Sequence, residues 1–295
     1  LKSGLTYHRY MGQPDSIYTL KGFIQANNYN ITNNIKLDKI IIGDYTASFA
    51  QGVIFESNDN FSPRRTGFGF SKRSEGIHGD LTRSTQYILR GTAMQISIPK
   101  FRNIIFVSYH PRDAIINEDN SFSSLIVMQP RLPYGANGDT SKIFHSLIGS
   151  VNELTWGTNI RFTPFTGTNL GFTFFESLYD RTHIPQIKNT ITGGDDISYS
   201  GDDYYLFYIT NSADSEIASM DTSYAESPLW SDAKSYFRAH GFNFSTVISN
   251  ISIQAEYGEM SKDNSLFSFG KHPSAFVLSA YAQFENFNLL TLYRN

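Results

Sequence analysis

Ile251-Ser252-Ile253-Gln254-Ala255-Glu256-Tyr257-Gly258-Glu259-Met260 alternates for most of its length, with Ile251, Ile253, Ala255 and Tyr257 at one parity and Ser252, Gln254, Glu256 and Gly258 at the other. Successive side chains of a strand point to opposite faces, so this period of two predicts a β-strand with one apolar and one polar face. Two further runs read the same way. In 153–162, Leu154, Trp156, Thr158, Ile160 and Phe162 alternate with Glu153, Thr155, Gly157, Asn159 and Arg161, which places both charges opposite the Trp. In 274–284, Phe276, Leu278, Ala280, Ala282 and Phe284 alternate with Ser279, Tyr281 and Gln283. Such runs reach the roughly 9 to 11 residues that a tilted strand needs to cross a bilayer, against about 5 to 6 in most globular sheets.

Working outward, the same template marks segments near 18–27, 39–56, 91–99, 102–110, 146–163, 168–180, 203–211, 236–248, 251–260, 274–284 and 287–294 as the clearest of roughly twelve candidate strands. Clusters of Asn, Asp, Gly, Ser and Pro separate them. Short turns such as Ser249-Asn250 and Glu285-Asn286 contrast with long polar stretches at 184–202 and 212–233. No linker, charge block or composition shift divides the chain, so one domain over 1–295 is expected. The expected fold is therefore all-β: part of an antiparallel transmembrane β-barrel of roughly twelve strands, its second face wet.

Composition agrees with a chain that meets two media. Aromatic residues make up 15% of it, with 24 Phe and 18 Tyr but only 2 Trp, yet its mean hydropathy is negative. The absence of Cys excludes a disulfide scaffold, a thiolate metal site and a Cys nucleophile. A net charge of -3 lacks the basic surface that nucleic-acid binding needs, so no direct nucleic-acid partner is expected. No apolar run approaches the roughly 18 to 20 residues of a membrane-spanning helix, which leaves strands to do any spanning. No signal-peptide pattern opens the chain, so an exported protein is expected to be represented here by a fragment.

One stretch, 78–90, breaks the alternation and is a candidate excursion into the lumen, with Arg83 and Tyr87 as plug residues. Several short strings then occur in a telling order: Gly43-Asp44-Tyr45, Gln51-Gly52-Val53-Ile54, Leu89-Arg90-Gly91-Thr92-Ala93, Ser108-Tyr109 with Arg112-Asp113-Ala114, and Leu290-Thr291-Leu292-Tyr293-Arg294-Asn295. This order resembles a family of Bacteroidetes outer-membrane barrels described as helix-hairpin-helix-domain-containing proteins. The segment from Leu170 to Pro185 resembles a strand of that family as well. Ala50 departs from it, standing where the family places a glycine. The resemblance implies a barrel in the bacterial outer membrane, continued at both ends in its relatives, and implies no reaction.

Residues for chemistry are sparse. Seven His are scattered at 8, 78, 110, 145, 183, 240 and 272 without a His-x3-His pair, so no metal ligand set is expected. Asp195, Asp196, Asp202 and Asp203, beside glycines, offer oxygen ligands of the kind Ca²⁺ takes, in a spacing unlike an EF-hand loop; a solvated loop is the plainer reading. No Gly-x-Ser-x-Gly elbow is present, and Gly67-Phe68-Gly69-Phe70 is not followed by a helix start. Arg90, Glu153 and Arg161 are the candidate lumen-facing residues, with Asp44 a partner for Arg90; inward charges of this kind set selectivity or structure more often than they catalyse. The expectation is a non-enzymatic membrane protein, porin-like or part of a transport or assembly system, with the lipid bilayer as partner and no cofactor. The alternative is a secreted all-β protein that binds or cleaves carbohydrate, its aromatics serving as sugar platforms.

Overall fold

The computed structural model describes residues 1–9, 18–57, 75–82, 88–117, 119–125, 149–184, 207–208, 233–261 and 272–295. Among them are strands only: β1 (Lys2–His8), β2 (Thr19–Asn30), β3 (Lys36–Ser48), β4 (Gly76–Gly79), β5 (Leu89–Ile98), β6 (Phe101–Arg112), β7 (Ala114–Ile116), β8 (Phe122–Leu125), β9 (Val151–Phe165), β10 (Thr168–Tyr179), β11 (Phe207–Tyr208), β12 (Ser235–Ile248), β13 (Ile251–Met260), β14 (Ser274–Gln283) and β15 (Asn288–Arg294). Thirteen form one antiparallel sheet in the order β1-β2-β3-β5-β6-β9-β10-β12-β13-β14-β15, with β4 added to β3 and β11 to β12, while β7 and β8 form a separate hairpin. The sheet is not closed, because among the described residues β1 and β15 each pair on one side only.

Along this path the connections alternate in length from one end of the sheet to the other. Pro99-Lys100, Thr166-Gly167 and Ser249-Asn250 are two-residue turns, and 31–35 and 284–287 are little longer. Lys100, Gly167 and Ser249 take the positive φ that tight hairpins require. The connections at the other end are longer, from 10 residues between β1 and β2 to 55 between β10 and β12.

Register divides the sheet into two faces. On the outward face, direct cross-strand partners form the row Phe101, Phe162, Leu170, Phe244, Ala255, Leu278, Tyr293, which runs unbroken from β6 to β15. Beside it runs Ile160, Phe172, Phe242, Tyr257, Phe276. Phe101 and Phe162 stack at 4.7 Å, and Phe172 meets Phe242 at 5.3 Å. Ile24, Ile42, Ile105, Val107 and Tyr109 extend the apolar surface over β2, β3 and β6, and all five are exposed.

The opposite face is buried. Its centre is an apolar cluster that includes Phe23, Ile41, Tyr45, Ile77, Ala93, Ile104, Phe106, Phe175 and Ala239. Around that centre lie polar residues, among them Ser108, Thr155, Asn159, Thr173, Glu256 and Ser279. The alternation in the sequence therefore separates the two faces correctly, but the polar face expected to be wet is packed: Asn159 is 1% and Ser279 3% exposed, while Ile160 on the other side is 40% exposed.

A second correction concerns the run 39–56. The ladder of β3 ends at Ser48, and residues 49–57 leave it, with Ala50 at φ 44° and Gly52 at φ 77°. This segment crosses the buried face, and the Gln51 amide donates to Glu256 on β13 at 2.7 Å. β3 and β13 are six steps apart in the sheet, about 29 Å if it were flat. From Tyr45, the last residue of β3 paired with β5, to Gln51 the chain can span only about 22 Å. The sheet curls around the segment, and Ile54 lies against Gly241 of β12 and Gly258 of β13. Gly43, at φ 113°, allows the tight approach of β2 and β3 where the bend starts, since a Cβ there would lie 2.2 Å from the Gly22 carbonyl oxygen.

Candidate functional site in the interior of the sheet

Two segments fill the concave side. The first, 49–57, places the Phe55 ring 4.8 Å from both Phe106 and Phe175, bridging β6 and β10. Its main chain is clamped by one carboxylate: Glu256 accepts from the amides of Gln51 at 2.7 Å, Val53 at 3.1 Å and Ile54 at 3.3 Å. The left-handed residues Ala50 and Gly52 turn these amides toward it, as in the backbone concavities that bind anions.

The second segment, 75–82, runs across the strands. Glu75 is ion-paired with Arg161 on β9 and with Arg102 on β6. Lys39 on β3 donates to the Ile77 carbonyl at 2.7 Å, and Gly79 packs under the Phe23 ring of β2. The wholly buried Lys21 donates to Asp80 at 2.8 Å and to the Thr82 carbonyl at 2.6 Å. A buried ammonium is tolerated only with such partners.

At the long-connection end a third polar group lies beneath the β7–β8 hairpin. The Glu153 carboxylate accepts from the Arg112 guanidinium at 2.8 Å, the Tyr179 hydroxyl at 3.0 Å and the Thr155 hydroxyl at 2.9 Å. Every side chain in this group is buried, and its hydrogen bonds read as a structural lock for β6, β9 and β10. The hairpin covers it with Ala114, Ile116 and Phe122, packed on Val151 and Tyr179. His183, just past β10, stacks on Phe122 at 4.9 Å and contacts the Ser123 carbonyl at 3.1 Å. Burial pushes its imidazole down to about 4, with the Ser123 carbonyl opposing. Nearby, a polar recess of about 490 Å³ is lined by Asp119, Asp180, Arg181 and Lys234. Asp180 holds both the amide and the side chain of Asn152, and Arg181 holds the carbonyls of Ser150 and Asn120, so these groups are committed to the chain itself.

The structure sorts the residues singled out from sequence. Glu153 and Arg161 share the concave face, in separate networks. Arg90 does not join them: paired in register with Asp44, it stands on the outward face, where its Nε donates to Asp44 at 2.8 Å. Its parity follows from β5, on which Leu89, Gly91 and Ala93 point inward. Of the stretch 78–90, residues 78–82 lie on the concave face and Leu89 and Arg90 begin β5, whereas Arg83 and Tyr87 lie outside the described residues. Asp195, Asp196, Asp202 and Asp203 also lie outside them. Among the described residues, no group of three or more His, Asp or Glu is arranged to hold a metal ion.

Two features were missed by sequence reading. Glu75 was not singled out, since a lone Glu among polar residues carries no signal of its partners. The other is on the outward face near the long-connection end, where Ser261 Oγ meets His240 Nδ1 at 3.3 Å. Glu259 stands opposite His240 in register and accepts from the Tyr257 hydroxyl at 3.1 Å. Beside them Glu176 accepts from Arg238 at 2.8 Å and from the Trp156 indole at 2.9 Å. Ser261 and His240 are buried, which leaves a substrate no approach to the hydroxyl as the residues stand.

Comparison with known proteins adds no relative: no family model, no curated protein and no solved structure matches the chain.

Proposed function

We propose that the chain is wall and filling of a bacterial outer-membrane β-barrel, a transport or assembly component whose lumen is occupied by its own segments 49–57 and 75–82. The inversion of the two faces carries this reading. Phe, Ile and Leu are exposed in continuous rows, while Asn, Thr, Ser and Glu on the same strands are buried. In water such a belt far exceeds the apolar patches that soluble proteins expose, whereas in a bilayer it is the lipid-facing surface. Strand lengths of 10 to 15 residues over β5, β6, β9, β10, β12, β13 and β14, and the segregation of short and long connections, support it. The ordered strings Gly43-Asp44-Tyr45 through Leu290 to Asn295, which resemble the helix-hairpin-helix barrels, favour the same location.

The full-length protein is expected to fractionate with the outer membrane and to migrate on a detergent gel in a heat-dependent way. Recovery without detergent in a soluble fraction would sink the reading. With its interior filled, it is expected to conduct poorly in planar bilayers, and deletion of 76–81 to raise single-channel conductance; an intact protein that conducts like an open porin refutes the filled lumen.

A second reading, a barrel-embedded lipid hydrolase, rests on the contact between Ser261 and His240 and needs a rearrangement that opens the buried hydroxyl to substrate. It requires that phospholipid be cleaved by the full-length protein and that Ser261→Ala abolish the cleavage.

A further inference from the structure

We propose that Arg102 and Arg161 form an oxyanion-binding site, that Glu75 occupies it with its own carboxylate, and that a small oxyanionic solute competes for the same place. Arg102 and Arg161 are direct partners across β6 and β9, on the concave face and near the short-turn end. Like charges directly opposite one another destabilise an antiparallel pair. Two guanidinium groups side by side therefore call for an anion between them, and their planar forks suit a carboxylate or phosphate.

Glu75 supplies that anion. Its Oε1 contacts both arginines. The match is incomplete, because the Nε of Arg102 is buried and has no hydrogen-bond partner among the described residues. A single carboxylate oxygen shared by two guanidinium groups leaves donors for the further oxygens of a free oxyanion. The site is not sealed: the side chains of Arg102, Arg161 and Glu75 are 25%, 19% and 28% exposed. Lys39 adds positive charge and grips the same segment through the Ile77 carbonyl. An oxyanion that displaces Glu75 would thus free one end of 75–82 while Lys21 still holds Asp80 at the other. In a filled barrel, as proposed above, this couples solute binding to movement of the filling; the site itself does not depend on the bilayer.

The test is equilibrium dialysis of inorganic phosphate against the full-length protein in detergent micelles at constant ionic strength. Glu75→Gln, which keeps the shape and removes the competing charge, is expected to bind phosphate at least about tenfold more tightly than the wild type. Adding Arg102→Gln should abolish the gain. Glu75→Asp, with its shorter reach, should fall between, and it decides the question if Glu75→Gln does not fold. Equal affinity in the wild type and the Glu75 variants overturns the site, as does a gain that survives Arg102→Gln. Heat-dependent migration of the same samples separates the two ideas. Its loss with phosphate binding retained sinks the barrel alone; its retention without binding sinks the oxyanion site alone.

Discussion

β9 carries Ile160 and Asn159 side by side, and the two residues live in opposite worlds. Ile160 stands 40% exposed in a row of Phe and Tyr, whereas Asn159 is 1% exposed and donates to Thr173 at 2.9 Å. In a soluble sandwich these environments would be exchanged. The comparison teaches that alternation reports two faces without saying which is inside. Here the polar face is inside, and it is closed by protein and not by water. Burial of polar groups is sustained chiefly by partners, so the inner face depends on networks and the outer face on its medium.

The strongest blow to the inner face is Glu256→Ala. Three main-chain amides of 49–57 lose their acceptor, each at a cost of about 1–3 kcal/mol when left buried. A loss of more than about 3 kcal/mol is expected from denaturant unfolding in micelles. A midpoint unchanged from the wild type would show that the interior segment is dispensable.

The outer face is broken differently. Arg in place of Ile160 or Leu278 should cost about 2–4 kcal/mol at the bilayer midplane, measured as folding yield into vesicles. Gln at the same positions should cost less. The contrast sharpens with Asn159→Arg, which should also impair folding, since Asn159 is enclosed. Tolerance of Asn159→Arg would mean that the concave face is wet after all.

Acid tests the cap that closes the inner face. His183 sits at about 4, against an ordinary value near 6.5. Between those values the unfolded chain binds a proton that the folded cap excludes, so stability is full above about pH 6.5 and falls as the pH drops toward 4, by on the order of 3 kcal/mol. Hydrogen exchange at Phe122 and Ile184, whose amides bond Thr182 and Phe122, should report the opening. His183→Gln should flatten that dependence. The smallest effect is a gain. Ala50 holds φ 44° where the chain leaves β3, a conformation that costs a side chain roughly 1–2 kcal/mol, so Ala50→Gly is expected to raise the unfolding free energy, measured with denaturant in micelles, by about 1 kcal/mol.

Most of the strands could be read from sequence because period two survives in 153–162, 251–260 and 274–284 whichever face is inside. β1 could not, since it is only seven residues long and its outward residues Ser3, Leu5 and Tyr7 include just two apolar side chains. The break at Ser48 was hidden by residues that remain apolar, Phe49, Ile54 and Phe55, and only the left-handed Ala50 and Gly52 mark it. The charged interior was half legible. Glu153 and Arg161 fall opposite Trp156 by parity, but partnership is set by register and by segments distant in sequence. Arg161 meets Glu75 and Glu153 meets Arg112, and Arg90 was misplaced because its parity on β5 is clear only once Leu89 and Ala93 are known to face the core.

The clamp on residues 49–57 also orders events in time. Hairpins joined by two-residue turns, such as β9–β10 and β12–β13, bring neighbours together locally and form early. Gln51 and Glu256 are separated by 205 positions, so the amides of Gln51, Val53 and Ile54 lack this acceptor until β13 has joined the sheet. Until then those amides remain available to other partners. Closure of the clamp is therefore a late step that reports completion of nine strands of the main path, and a wall that stalls before β13 leaves it open.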